Sequence, residues 1–248
     1  MKTRAFFSII LSLFIMNQTF TNPIESDSFM TKNGKSVSVH FIQHSSFYFT
    51  FYDITVYVDP VKYDRVDYST LPKADLILIT HDHYDHFDTR AIDEISKPDV
   101  QIYCNGTVHE ALKAGTQMKN GERVTFKKVN NNEYQYIDIE AVPAYNTTEG
   151  RDIYHPKDRD NGYVITLGGS KIYIPGDCEI MPEMKELTDI DVAFLPINQP
   201  YTMTVEQAVI AAKMIKPKIL YPIHYSETNL SGLSVLKQEG IEVKIFKN

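Results

Sequence analysis

The alternation of apolar and polar positions divides the chain from Lys35 onward into short strands interrupted by a few helices. Ser36 to His40 alternates, with Val37 and Val39 on one face; Phe47 to Phe51 is an aromatic run, and Ile54 to Val58 is another short strand. Proline cannot donate to a ladder, so that strand stops at Asp59-Pro60 and leaves Asp59 at its end. A polar, tyrosine-rich link over 61–73 follows. The run between Asp75 and Thr80 (Leu-Ile-Leu-Ile) then has the length and content of a buried strand. Asp88 to Ile95 predicts a short helix with Asp88 as N-cap and Ala91, Ile92 and Ile95 at helical spacing. Val100 to Cys104 reads as a strand and Thr107 to Ala114 as a helix closed by Gly115. Arg123 to Val129 and Tyr134 to Val142 read as strands, and Tyr163 to Leu167 with Lys171 to Ile174 as a hairpin around Gly168-Gly169.

The pattern in the last third is similar. Val192 to Leu195 is a strand. Thr204 and Gln207 form a capping box for a helix with Val205, Ala208, Val209 and Ala212 in its apolar stripe, stopped by Pro217. Ile219 to Pro222 is a strand that delivers His224; Leu230 to Glu239 reads as a helix, and Ile241 to Phe246 as a final strand. There is no sequence repeat, long linker or low-complexity tract.

The first residues have a different organisation. Met1 to Arg4 is a short basic start, Ala5 to Met16 is almost wholly apolar, and polar residues follow. This is the layout of a secretory signal peptide over 1–21, with small residues at Thr19 and Thr21, and it is too short to span a bilayer. It predicts an exported protein, periplasmic or secreted, with one domain over 35–248 and no membrane span after cleavage. About 225 residues remain, enough for one sizeable core.

The formal charge of the chain is −7. Without Lys2 and Arg4 the basic residues fall from 25 to 23 against 32 acidic ones, a formal −9. Such a surface repels phosphate backbones, which disfavours a nucleic-acid partner and leaves a small molecule as the expected substrate. Two cysteines, Cys104 and Cys178, are too few for a disulfide framework; they either pair with each other or remain as buried free thiols. The oligomeric state has no signature in the sequence.

The candidate chemistry lies at strand ends. Thr80-His81-Asp82-His83-Tyr84-Asp85-His86 follows the buried Leu-Ile-Leu-Ile strand, so three imidazoles and two carboxylates leave a rigid element together. Solvation alone gives no reason for three of the chain's eight histidines to fall within six residues. Neutral imidazole combined with carboxylate suits zinc, manganese or iron better than calcium or magnesium, with zinc the first choice. Asp59, Asp177 (after Gly176) and His224 also sit at strand ends, which describes a metal-lined cleft between two sheets.

This set of residues, His-x-His-x-Asp-His at 81–86 with Asp59 before it and Gly176-Asp177 and His224 after it, resembles the metallo-β-lactamase superfamily over roughly Val37 to Phe246. Within the superfamily the chain is most similar to a branch of small metal-dependent hydrolases related to the L-ascorbate-6-phosphate lactonase. That likeness rests on Gln43-His44-Ser45-Ser46, Tyr201-Thr202-Met203 and Pro222-Ile223-His224-Tyr225. The resemblance implies an α/β fold, a four-layer αββα sandwich with its site at one sheet edge. It implies two divalent metals: His81 and His83 on the first, Asp85, His86 and His224 on the second, Asp177 between them, and Asp59 steadying the histidine loop from behind. One position departs from the pattern, because Asn146 stands where the superfamily usually has a metal-binding histidine. Three explanations are open: Asn146 ligates weakly or through water, His155 supplies the missing imidazole, or the first site is lost. His155 is favoured, since a histidine in that loop is otherwise unexplained.

Bound metals would lower the pKa of water from about 15.7 to about 7 and so furnish hydroxide for attack on a small ester, lactone, amide or phosphodiester. Asp85 would orient the water or take its proton, and His44 would donate to the oxyanion, as would Tyr201 and Tyr225. Arg151, Lys157 and Arg159 are candidates to receive an anionic substrate group. A non-catalytic metal-dependent binding or sensor protein is the alternative, motivated by Asn146.

Overall fold

Successive side chains of the strand Leu76–Ile79 enter two different cores: Leu76 and Leu78 pack on one side, Ile77 and Ile79 on the other, and all four are fully buried. A strand covered on both faces has no polar alternation to show, which is why this segment reads as a continuous apolar run. The computed structural model describes residues 24–63, 66–130 and 132–246. The predicted signal peptide at 1–21 lies outside them.

The first sheet runs in chain order through β1 (Glu25–Met30), β2 (Ser36–Gln43), β3 (Ser46–Phe51), β4 (Ile54–Val58), β5 (Leu76–Ile79), β6 (Gln101–Cys104) and β7 (Thr116–Gln117). The second runs through β8 (Arg123–Asn130), β9 (Glu133–Ala144), β10 (Asp160–Leu167), β11 (Ser170–Ile174), β12 (Ile190–Pro196), β13 (Ile219–Ile223) and β14 (Glu242–Val243). Each sheet is antiparallel over its first four strands and parallel from the fourth onward. The two halves therefore share one topology even though no sequence repeat marks it.

Three apolar clusters fill the three spaces between four layers. One lies between the sheets and combines Val39, Phe49, Ile54 and Leu76 from the first with Ile139, Ile165, Ile172 and Phe194 from the second. A second packs the outer face of the first sheet under α1 (Thr89–Ile95) and α2 (Gly106–Leu112). The third packs the outer face of the second sheet under α3 (Val205–Ile215) and a 3₁₀ helix, Leu230–Glu239. This is the αββα sandwich. Asp88 caps α1 as expected, its side chain accepting from the Arg90 N–H, and the Thr204–Gln207 capping box opens α3 with both of its bonds formed.

Two local expectations need correction, and one open alternative is decided. The domain begins before Lys35, because β1 pairs with β2 from Glu25 to Met30; this edge strand buries only Phe29, so its pattern carries little apolar signal. The 230–239 segment is 3₁₀ rather than α. It is pulled close to α3, where a Cβ on Gly232 would stand 2.8 Å from Val205 Cγ1. Of the two options for the cysteines, the structure shows free thiols: Cys104 and Cys178 are buried in different layers. Burial pushes the Cys104 thiol up to about 11 and that of Cys178 well above its ordinary value.

Candidate metal centre

The parallel strands of both sheets point their C-terminal ends to one edge, and the candidate residues emerge there. Asp59 follows β4 and His81 follows β5; Asp177 follows β11 and His224 follows β13. Asp59 takes a left-handed conformation at φ 43°, which turns its buried carboxylate onto the histidine loop. Its Oδ1 accepts from the Thr80 N–H at 2.8 Å, and its Oδ2 accepts from Thr80 Oγ1 and from His86 Nδ1, each at 2.8 Å. Because Thr80 Oγ1 donates to Asp59, it is left to accept from His81 Nδ1 at 2.9 Å. Both imidazoles thus have Nδ1 engaged, and the buried Nε2 atoms of His81 and His86 have no hydrogen-bond partner. The loop closes on itself through bonds from the His86 and Phe87 N–H groups to the His83 carbonyl, each 2.9 Å.

Asp177 reaches the same volume from the second sheet through a turn that only glycine can make. Gly176 has φ 66°, and a Cβ there would stand 2.9 Å from Thr80 Cβ. Asp177 Oδ1 lies 3.3 Å from His86 Nε2, while Oδ2 lies 3.0 Å from His224 Nε2 and 3.6 Å from His155 Nε2. His224 and His44 both have positive φ, 50° and 60°, and are joined by a 3.2 Å bond from the His224 N–H to the His44 carbonyl. Their rings lie 3.6 Å apart, and His44 Nε2 is 3.2 Å from Asp85 Oδ2. Left-handed backbone at non-glycine residues costs about 1–3 kcal/mol each and is typical of sites where geometry matters more than stability.

His155 is brought in by the long loop before β10. Its Nδ1 is 3.2 Å from Asp160 Oδ2, the same kind of outer partner that Asp59 gives His86. Nitrogen atoms of His81, His83 and His155 fall within 4.8 Å of one another. So do ligand atoms of His44, Asp85, His86 and His224, and those of His81, His86 and Asp177. Asn146 has a different position in the network. Its side-chain amide donates to the Tyr201 carbonyl at 2.8 Å and the Arg151 carbonyl at 3.2 Å, and its N–H donates to the His155 carbonyl at 2.9 Å. Its Oδ1 is buried without a partner.

The charges follow from this packing. Burial holds His81 well below the ordinary imidazole value; burial, with His155 and Arg159 nearby, does the same more mildly for His83. Both are neutral at pH 7 and offer a lone pair. Burial opposes the charged form of His86, but Asp177 and Asp59 outweigh it and hold that imidazole well above its usual range. Asp177 and Asp85 likewise raise His224 to about 9 against its burial. Asp85 is also desolvated, yet His224 and His44 hold it well below the usual carboxylate range.

The centre opens into a cleft of about 730 Å³. Tyr63, Tyr84, Tyr154 and Tyr201 line it together with His44, His83, His155, Asn198, Ser226 and Glu227. Two expectations fail here. The Tyr225 hydroxyl donates to the Phe246 carbonyl, which removes it as a donor to substrate. The three cations of the loop are already paired: Arg151 with Glu179, Lys157 with Glu183 and Arg159 with Asp160. The tyrosine-rich link over 61–73 and the polar loop around Tyr154 carry no period, so nothing local shows that Tyr63 and Tyr154 face the cleft. Glu179 was missed for a similar reason. Its fully buried carboxylate ties the loop down through the Thr147 and Thr148 N–H groups at 2.9 and 2.6 Å.

Buried imidazole nitrogens and carboxylate oxygens that face one another without hydrogen bonds are unfavourable unless a cation joins them, and this donor set suits a divalent transition metal. Comparison with known proteins agrees. Residues 38–224 match the family model described as a β-lactamase superfamily domain, and the chain belongs to the metallo-β-lactamase superfamily. A crystal structure of a protein from Parabacteroides distasonis, provisionally described as a metal-dependent hydrolase, is similar at 50% identity and a TM-score of 0.82. That match covers 90% of this chain and 98% of the other. A UPF0173 metal-dependent hydrolase from Salinibacter ruber is 28% identical over 82% of this chain and 93% of its own length. One from Thermoplasma acidophilum is 34% identical over 71% and 77%.

Proposed function

We propose that the protein is a two-metal hydrolase of a small ester, lactone, amide or phosphodiester, exported by way of the segment over 1–21. The observation that carries this reading is the convergence of three ligand groups, His44–Asp85–His86–His224, His81–His83–His155 and His81–His86–Asp177, with the Nε2 atoms of His81, His86 and His224 bare and the outer nitrogens of His86, His81 and His155 engaged by Asp59, Thr80 and Asp160. His81, His83 and His155 would hold one ion, Asp85, His86 and His224 the other, and Asp177 both. Zinc is the first candidate, with manganese or iron as alternatives. Such ions supply an acidified water and polarise a carbonyl or phosphoryl oxygen.

The chain's own groups would do the rest. Asp85, ionised and partly buried at the cleft, is placed to orient a water and accept its proton. His44, kept neutral by burial, donates its one N–H to Asp85 Oδ2 and so fixes the direction of that carboxylate; it can turn the same N–H toward developing negative charge only by releasing Asp85. Asn146 holds the His155 loop through its three donated hydrogen bonds.

The test is elemental analysis of protein purified without added metal, followed by assay of the metal-loaded protein on those four substrate classes with and without chelator. Two equivalents of transition metal and chelator-sensitive turnover support the reading. Two equivalents with no turnover in any class would favour the binding or sensor alternative.

A further inference from the structure

The walls of the cleft carry information about the substrate that the metal ligands do not. Tyr84 projects from the middle of the histidine loop and is 88% exposed, although that loop is held rigidly from behind by Asp59 and Thr80. Tyr154 packs edge-on against Tyr201 with ring centroids 5.1 Å apart, which joins the His155 loop to the loop after β12. Tyr201 is 44% exposed, and its backbone is fixed by bonds to Asn198 and from Asn146. Solvent-facing rings on an anchored backbone are a preformed apolar surface with little ordering left to lose on binding.

The charges of the described residues disfavour one class of ligand at that surface. Among the described residues lining the cleft there is no lysine or arginine. Among the described residues, the Arg159 guanidinium comes within 3.5 Å of His83 Nε2, but it bonds both Asp160 oxygens at 2.7 Å and the Tyr154 carbonyl at 2.8 Å. Lys62 is engaged by Glu94, and the exposed Glu227 adds a negative charge to the rim. A phosphate or carboxylate tail remote from the metals would need an unpaired donor fork, and here it meets tyrosine and an acid instead.

We infer that Tyr84, Tyr154 and Tyr201 form a subsite for the uncharged, ring-bearing or apolar body of the substrate, so that the preferred substrate is a neutral ester, lactone or amide rather than a phosphorylated or carboxylated one. This inference rests on the two-metal reading above.

Three hydroxamates that share one metal-binding head test it by calorimetry on the metal-loaded protein: acetohydroxamate with no body, benzohydroxamate with a neutral ring, and succinate monohydroxamate with an anionic tail. The ring should strengthen binding about three- to tenfold over acetohydroxamate, and the anionic tail should weaken it. Tyr84→Ala and Tyr154→Ala should each reduce the preference for the ring, with metal content unchanged. Anionic binding equal to or tighter than that of the ring, or a ring preference untouched in both variants, would overturn the subsite. Failure of all three hydroxamates to bind a metal-loaded protein would instead remove the accessible two-metal centre, and the subsite with it.

Discussion

Asn146 and His155 are joined through the main chain, the Asn146 N–H donating to the His155 carbonyl at 2.9 Å, while the Asn146 side chain binds two other carbonyls of the neighbouring loops. One residue braces and the other presents its ring. If His155 is a ligand, His155→Ala should lower bound metal from two equivalents toward one. Asn146→Ala should keep two in excess metal yet lose roughly 1–3 kcal/mol of stability, because buried carbonyls lose their donors. Elemental analysis and urea unfolding of both variants decide the matter. Metal loss in Asn146→Ala alone would reverse the roles.

Asp59 touches no substrate-facing atom, yet three donors converge on it from Thr80 and His86. Asp59→Asn keeps the shape and one acceptor but turns an amide N–H₂ toward His86 Nδ1 or Thr80. The expected result is a loss of about 10- to 100-fold in metal affinity with the fold retained. Chelator competition monitored alongside circular dichroism measures both. An unchanged affinity would show that the Asp59 carboxylate is not what aims the His86 ring.

Gly176 offers a test of how tightly the two sheets meet behind the site. A Cβ there would meet Thr80 Cβ at 2.9 Å and the Asn161 carbonyl at 3.1 Å, and Thr80 is pinned by its bonds to Asp59 and His81. Gly176→Ala should therefore cost roughly 2–5 kcal/mol, overpacking and left-handed strain together. Gly150 has φ 80° with nothing within 4 Å, so Gly150→Ala should cost only the strain, roughly 1–2 kcal/mol. Equal urea midpoints for the two variants would argue against close packing at Gly176.

Much of this was legible along the chain. The His81–His86 cluster, the acids at strand ends and the two well-capped helices are local signals, readable because a cap or a strand end is decided within a few residues. What stayed hidden depends on distant partners. β1 was invisible because an edge strand with one buried phenylalanine lacks a period. The His44–His224 ring contact joins residues from opposite sheets, and the role of Asp160 behind His155 depends on the course of a fifteen-residue loop. Two of the three loop cations, Arg151 and Lys157, looked available because their partners Glu179 and Glu183 lie on another segment.

The far end of the sandwich makes a separate prediction about pH. Asp75 precedes β5, at the end opposite His81. Its carboxylate accepts from the Thr55 N–H at 2.8 Å and pairs with Lys97 and, across to the second sheet, with Lys128 at 2.8 Å. Burial alone would raise its pKa, but Lys128, Lys97 and the Thr55 N–H outweigh burial and hold it below the ordinary value. A carboxyl whose folded pKa is depressed contributes stability that is fully present above the unfolded value near 3.9 and is lost as pH falls through the folded one. Asp75→Asn should therefore be less stable than wild type from pH 7 down to about 4, and the gap should narrow below that as the wild-type carboxylate is protonated. Urea unfolding of both proteins across pH 3–7, in chelator so that the metal ligands titrate alike in each, measures the gap directly. A gap that stays constant to pH 3 would mean that the hydrogen bond from Thr55, not the charge, is what ties the sheets together there.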